Sequence, residues 1–235
     1  MTRHLSSPPT FLGRAVCAQC PVNETPLCHN MPEVSLENNF PNIEYFQWKN
    51  QDTLFQKGEA KEYIYTIRRG WVKICHINEE GRLRIVRLMG PGSAIGMEMM
   101  LSGGSTYLHD AIALGPVEAC RIPVITVNQF KERCPELFSG FVANFENHLK
   151  RADEIIVLFS TGLLHERIHC VLSFLSKETS NNKKRFNLPN GSDFAALTGT
   201  TSESVSRVLA QMKKDKILIK HEDGLYSFNA EERSL

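Results

Sequence analysis

Cysteine is the residue type whose chemistry is most concentrated in this chain. Of seven cysteines in 235 residues, three fall in the run CAQCPVNETPLC as Cys17, Cys20 and Cys28, and Cys120 lies far along in VEACRIP. Thiols gathered in this way hold metal, exchange electrons or sit buried as small hydrophobes. A disulfide framework is the wrong expectation, because MTRHLSSPPT lacks the apolar core of a secretory signal. No run reaches the ~18 apolar residues of a membrane span, so a cytoplasmic protein without a membrane partner is expected. Three readings of the arm stay open on residue types alone: a redox Cys17-Ala18-Gln19-Cys20 pair, a zinc site completed by His29 or Cys120, and an arm without metal. The redox reading lacks the βαβ pattern that would frame it. Cys75, Cys134 and Cys170 stand among apolar neighbours and read as core.

A second constellation lies near the other end. In TTSESVSRVLAQMKK, Glu203, Ser206 and Arg207 stand at i, i+3 and i+4, which places them on one face near the start of a helix running from Thr201 to about Lys214, with Thr201 and Ser202 at its beginning. Arginine donates twice to guanine, a carboxylate accepts from cytosine, and serine contacts base or phosphate. Lys213, Lys214, Lys216 and Lys220 add a local basic patch to a chain whose 27 basic and 26 acidic residues nearly cancel. The bland alternative is a surface Glu203–Arg207 pair worth ~0.3 kcal/mol, or, if Thr200 is the N-cap, a capping-box role for Glu203. Catalysis is not expected: His76 and His109 form no metal-ligand pair, and neither an activated nucleophile nor a phosphate-cradling glycine loop is present.

The elements that must position these residues divide the chain in four. Residues 1–35 read as an irregular cysteine arm. Residues 36–134 alternate short apolar runs with Gly58, Gly70, Gly81, Gly90, Gly92 and Gly96, the texture of a compact antiparallel barrel of roughly eight strands, with a hairpin from Ile77 to Arg84. Residues 135–163 carry Phe138, Val142, Phe145, Leu149, Ala152, Ile156, Phe159 and Leu163 at spacings of four and three, a heptad stripe on a helix about 40 Å long. Asn144, Glu146, Asn147, Lys150, Arg151, Asp153 and Glu154 form its wet face, with Phe141 and Ile155 on a second apolar edge. One edge is expected to pack on its own domain and the other on an identical helix. Residues 164–235 hold a helix from Leu164 to Thr179, two short helices joined at Thr198-Gly199-Thr200, and a hairpin at Asp223-Gly224: a winged helix-turn-helix. The class is α+β.

The segment DFAALTGTTSESVSRVLAQMKKDKIL, with Glu203, Ser206 and Arg207 as an E-x-x-S-R core, resembles the helix-turn-helix of the bacterial CRP/FNR transcription factors. The barrel glycines and heptad helix follow the same order, so the resemblance spans nearly the whole chain. It implies a homodimer with a cyclic-nucleotide-type jelly-roll sensor, whose paired winged helices bind palindromic double-stranded DNA. Cys17, Cys20, Cys28 and Cys120 resemble the ligands of the oxygen-sensing FNR branch, which implies a 4Fe-4S cluster and a TTGAT-type half-site. The gap from Cys20 to Cys28 is longer than in the best-known members. Gly96-Met97-Glu98-Met99 and Ser105-Thr106-Tyr107-Leu108-His109 stand where the cyclic-nucleotide branch has its glutamate and arginine, which argues against that ligand. The hairpin Ile77 to Arg84 and the turn Ser180 to Arg185 occupy places where the family touches RNA polymerase, so activation is expected.

Overall fold

A computed structural model describes residues 8–25, 28, 43–98, 105–133, 135–177 and 185–229. Its contacts divide the chain into two units. The first ends at Arg151; the second begins at Ala152 and also takes in Ile77–Val86.

The first unit is built on β1 (Thr10–Arg14), β2 (Glu44–Trp48), β3 (Thr53–Phe55), β4 (Tyr63–Ile77), β5 (Leu83–Met89), β6 (Ala94–Ile95) and β7 (Asp110–Pro123). They form one sheet of order β1-β2-β7-β4-β5, with β3 also on β7 and β6 on β4. The two long strands β4 and β7 run antiparallel from Tyr63↔Pro123 to Cys75↔Asp110, with register shifts on both sides of Arg69. Ile64, Ile67, Val72, Ala111, Ala113, Val117 and Ala119 are out of contact with solvent, and successive burial from Ile64 to Ile67 shows that β4 is covered on both faces there. The expected hairpin turn is present, closed by Gly81 N donating to Asn78 O and by Asn78 N donating to Arg82 O.

Three expectations for this unit change. The arm is not wholly irregular: β1 pairs with β2, because Phe11 sets its ring edge-on against Phe46, 5.5 Å between centroids. A helix, α1 (Val124–Arg133), leads out of β7 before α2 (Pro135–Ser160) begins. The α2 helix also stops three residues short of the heptad's end, since Gly162 takes a φ of 83° and Glu166 Oε2 accepts from Leu163 N at 2.9 Å, capping the next helix instead.

The wet face of α2 needs correction as well. Asn144 is buried, with Nδ2 donating to Gly92 O at 2.9 Å and Oδ1 accepting from Ala94 N at 3.1 Å. The backbone groups of Gly92 and Ala94 thus take Asn144 as their partner.

The second unit holds α3 (Leu164–Lys177), α4 (Gly191–Thr198), α5 (Ser202–Lys214), β8 (Leu218–Lys220) and β9 (Tyr226–Phe228). The α3 helix buries Ile168, Val171, Leu172 and Leu175, the positions its amphipathic period selects. Asn190 caps α4 by accepting from Asp193 N, and Gly199 ends it in the left-handed conformation at φ 69°. Strands β8 and β9 form the wing around Asp223-Gly224, and Phe186 adds a bridge to Tyr226. Among the described residues no helix is long and apolar enough to cross a membrane.

Candidate functional site: a thiol cavity and a nucleic-acid interface

The arm winds by successive three-residue turns. Cys20 N donates to Cys17 O at 3.1 Å, Asn23 N to Cys20 O at 3.1 Å, Thr25 N to Val22 O at 3.1 Å and Cys28 N to Thr25 O at 2.9 Å. A chain turning at this rate returns the side chains at i and i+3 to one side, which is why Cys17 and Cys20 face the same way. The fourth cysteine arrives by strand pairing: Cys120 on β7 lies opposite Tyr45 on β2 and Thr66 on β4. All four thiols line one cavity of about 20 Å³, closed by Ala15, Val22, Ile43 and Ile122 together with Thr66 and Arg68. Cys20, Cys28 and Cys120 are buried and Cys17 is half-buried.

Burial pushes the Cys17 thiol up, the Cys28 thiol up to about 11 and the Cys120 thiol up to about 12. Neighbouring thiols reinforce the rise and the Arg68 guanidinium opposes it. These groups are protonated at neutral pH, so any metal they hold must displace protons. Among the described residues no three Cys, His, Asp or Glu close on a point where a single metal ion could sit. The thiols share a cavity wall instead of one tight centre. His29, the alternative zinc ligand, and Cys134 lie outside the described residues. Cys75 is buried in the sheet as expected, while Cys170 is half-buried.

Two polar side chains in this cavity are not evident from the sequence. The Arg68 guanidinium carbon lies 3.9 Å over the Tyr45 ring centroid, and its buried Nε and Nη1 have no hydrogen-bond partner among the described residues. The Thr66 hydroxyl, also buried, has none. Alternation along β4 puts Ile64, Thr66 and Arg68 on the face toward Cys120, and that is the only signal the sequence carries for them.

At the other constellation, Thr201 is the N-cap, accepting from Ser204 N at 3.3 Å. The cap is therefore not Thr200, and Glu203 falls at the second helical position, where it cannot close a capping box. Val205, Leu209 and Met212 anchor α5, while Thr201, Ser202, Glu203, Ser206 and Arg207 are exposed. Arg207 Nη2 reaches Ser204 Oγ at 3.4 Å instead of pairing with Glu203. Arg167 Nη1 donates to Thr198 O, tying α3 to the end of α4. Lys213, Lys214, Lys216 and Lys220 are all exposed.

The heptad stripe splits in two. Val142, Leu149, Ile156 and, beyond the helix end, Leu163 are 51%, 55%, 61% and 63% exposed. Phe145 and Ala152 are half-buried and Phe159 is fully buried against Phe174. The side chains of Phe138 and Phe141 lie outside the described residues, and Ile155 is buried. Among the described positions of the helix, Phe145, Ala152 and Phe159 thus turn toward the chain's own core, and Val142, Leu149 and Ile156 are left uncovered.

Residues 45–134 match the family model described as a cyclic nucleotide-binding domain. The chain is 26% identical over 224 residues to the anaerobic regulatory protein of Pasteurella multocida (strain Pm70), covering 89% of this chain and 81% of that protein. It is 26% identical over 209 residues to the fumarate and nitrate reduction regulatory protein of Vibrio cholerae, covering 86% and 82%. In fold it is similar to FixK2 from Bradyrhizobium japonicum, with a TM-score of 0.67 at 20% identity over 80% of this chain and 92% of that one. A CRP-family transcriptional regulator from Thermus thermophilus gives 0.66 at 21% identity over 78% and 92%. Domain match and relatives together make this chain similar to FNR-type transcription regulators, with the fold of the CRP/FNR structures.

Proposed function

We propose that the protein works as a homodimer that controls genes in response to oxygen, through a 4Fe-4S cluster held by Cys17, Cys20, Cys28 and Cys120. The observation that carries this is the convergence of a turn-wound arm and a distant strand on one cavity lined by four thiols. The donor set fits: thiolates are the ligands such clusters take, the wall is apolar, and buried N–H groups face in without partners. The void is smaller than a cluster, so loading requires the arm, which brings three of the four thiols, to give. Nothing in the structure favours zinc specifically.

When bound, the cluster supplies an oxygen-reactive centre. The chain's own residues do the rest. Cys20, Cys28 and Cys120 share a packed cluster with Ala94, and Ala94 is held to the long helix by Asn144. Thr25 of the arm packs at Gly92, the other end of the Asn144 bridge. The position of the arm is thereby felt at α2. Along α2, Val142, Leu149 and Ile156 offer the partner copy an uncovered stripe. Burying an apolar side chain contributes ~1.5–3 kcal/mol and association costs about 4–15 kcal/mol, so a modest shift in helix packing decides between monomer and dimer.

The exposed Glu203, Ser206 and Arg207, with Thr201 and Ser202 beside them, read a TTGAT-type half-site, and two-fold symmetry repeats it one DNA turn away. The hairpin Ile77 to Arg84 is the surface offered to RNA polymerase; most of the turn Ser180 to Arg185 lies outside the described residues. A cyclic nucleotide is not the signal in this reading. Beside Glu98, which pairs with Arg87 at 3.1 Å, the sheet and α2 leave a void of only about 10 Å³, about one water molecule. The protein acts in the cytoplasm.

Purification without oxygen, followed by iron and acid-labile sulfide analysis and then sedimentation and DNA titration before and after air, tests the reading. Zinc without sulfide would overturn the cluster. A stoichiometric cluster whose loss changes neither dimer content nor DNA affinity would overturn the switch.

A further inference from the structure

The cysteine cavity contains two buried polar groups that the fold leaves without partners. Arg68 sits at a register shift in β4, between Ile67 and Arg69 of the β4–β7 ladder, so it escapes the pairing that fixes its neighbours. Its guanidinium carbon lies 3.9 Å over the Tyr45 ring centroid, a contact that holds the group without satisfying Nε and Nη1. Nε and Nη1 are buried and unpartnered, and so is the hydroxyl of Thr66, two residues earlier on the same face. A buried guanidinium N–H without an acceptor is costly, and native structures seldom leave one without a reason. Arg68 and Thr66 line the same cavity as the four thiols, and among the described residues no carboxylate lines it, so an anion would supply the acceptor these groups lack.

We propose that the buried N–H groups of Arg68, with the Thr66 hydroxyl beside them, are the charge and hydrogen-bonding partners of the anion formed when the four thiolates hold a cluster. This rests on the cluster reading above. Four thiolates outweigh the positive charge of the cluster core, and the potential of such a centre follows its net charge and the hydrogen bonds to its sulfurs. Arg68 would therefore be a positioning and tuning residue, setting how readily the centre is oxidised, while the cysteines alone are its ligands.

The test compares wild type, Arg68→Lys, Arg68→Gln and Thr66→Val, each prepared whole and without oxygen. Iron and sulfide per chain, the reduction midpoint and the half-life of the cluster absorbance in air are read for each. Arg68→Gln is expected to load, to shift its midpoint negative and to decay in air about tenfold faster, the scale of one lost charge-assisted bond. Arg68→Lys should restore most of both changes, and Thr66→Val should give a smaller shift of the same sign. Loading of Arg68→Lys but not of Arg68→Gln also supports the charge role. Equal midpoints and lifetimes in fully loaded wild type and Arg68→Gln would overturn it while leaving the cluster intact. Failure of both Arg68 variants to load while still folded would reduce Arg68 to packing on Tyr45. Wild type without iron and sulfide would overturn the cluster reading itself.

Discussion

The thiol cavity and the recognition helix differ in how they are assembled. Glu203, Ser206 and Arg207 come from a single turn of one helix, exposed, over a buried Val205 and Leu209. Cys17, Cys20, Cys28 and Cys120 come from an arm and a strand far apart in sequence, and the cavity they line is apolar with buried polar groups left unpaired. The helix face bearing Glu203, Ser206 and Arg207 is presented by one chain alone, whereas the thiol cavity leaves buried N–H groups without acceptors among the described residues. Under the proposed function, that asymmetry suits a regulator whose specificity is constant and whose active fraction varies. It also separates the two regions in one direction: changes at the recognition helix should leave cluster content alone, whereas loss of the cluster should alter DNA affinity.

The largest effect should come from the element both regions depend on. Ile156→Glu or Leu149→Glu puts a charge into the uncovered stripe, and palindrome binding should fall at least about a hundredfold with the chain sedimenting as a monomer. Tight palindrome binding by such a monomer would remove the helix from the account. Next comes the joint where α2 meets the sheet. Burial first, then Arg87, lowers His148 to about 4, with Glu98 opposing and Arg151 adding to the drop. A histidine depressed in the folded state contributes stability that is present above its unfolded value near 6.5 and lost as pH falls toward 4. Urea unfolding should show a loss of up to about 3 kcal/mol over that window, absent in His148→Gln.

At the reading head, Arg207→Ala should cost about 1–3 kcal/mol in operator affinity and relax preference at one base pair. Cluster content should be unchanged, and altered iron or sulfide in this variant would break the separation of the two regions. The smallest effect is expected at the link: Asn144→Ala leaves Ala94 N and Gly92 O unpaired, costing ~1–3 kcal/mol of stability. Its informative readout is DNA affinity before and after air, which should differ less than in wild type.

The same contrast explains what can be read from the chain. Spacing within a helix is a local quantity, so the face bearing Glu203, Ser206 and Arg207 follows directly from i, i+3 and i+4, and the wing from Asp223-Gly224. The cap falls one residue later than the pattern suggests, at Thr201, because either of two adjacent threonines satisfies it and only the backbone decides. Cys17 and Cys20 are legible as a pair; that Thr66 and Arg68 face them depends on the register between β4 and β7, a long-range pairing that no spacing encodes. Leu163 fits the heptad yet lies past the helix, since a stripe records apolar period and not the glycine that stops the turn. Asn144 reads as solvated for the converse reason: its partners are distant backbone groups, contributed by Gly92 and Ala94.

The central claim is that Cys120 belongs with the three arm cysteines, and a single substitution pair tests it most directly. Cys120→Ser and, as a comparison in the second unit, Cys170→Ser should be prepared without oxygen beside wild type and assayed for iron and acid-labile sulfide. Wild type and Cys170→Ser should carry about four of each per chain and Cys120→Ser almost none. A full cluster in Cys120→Ser would contradict the assignment.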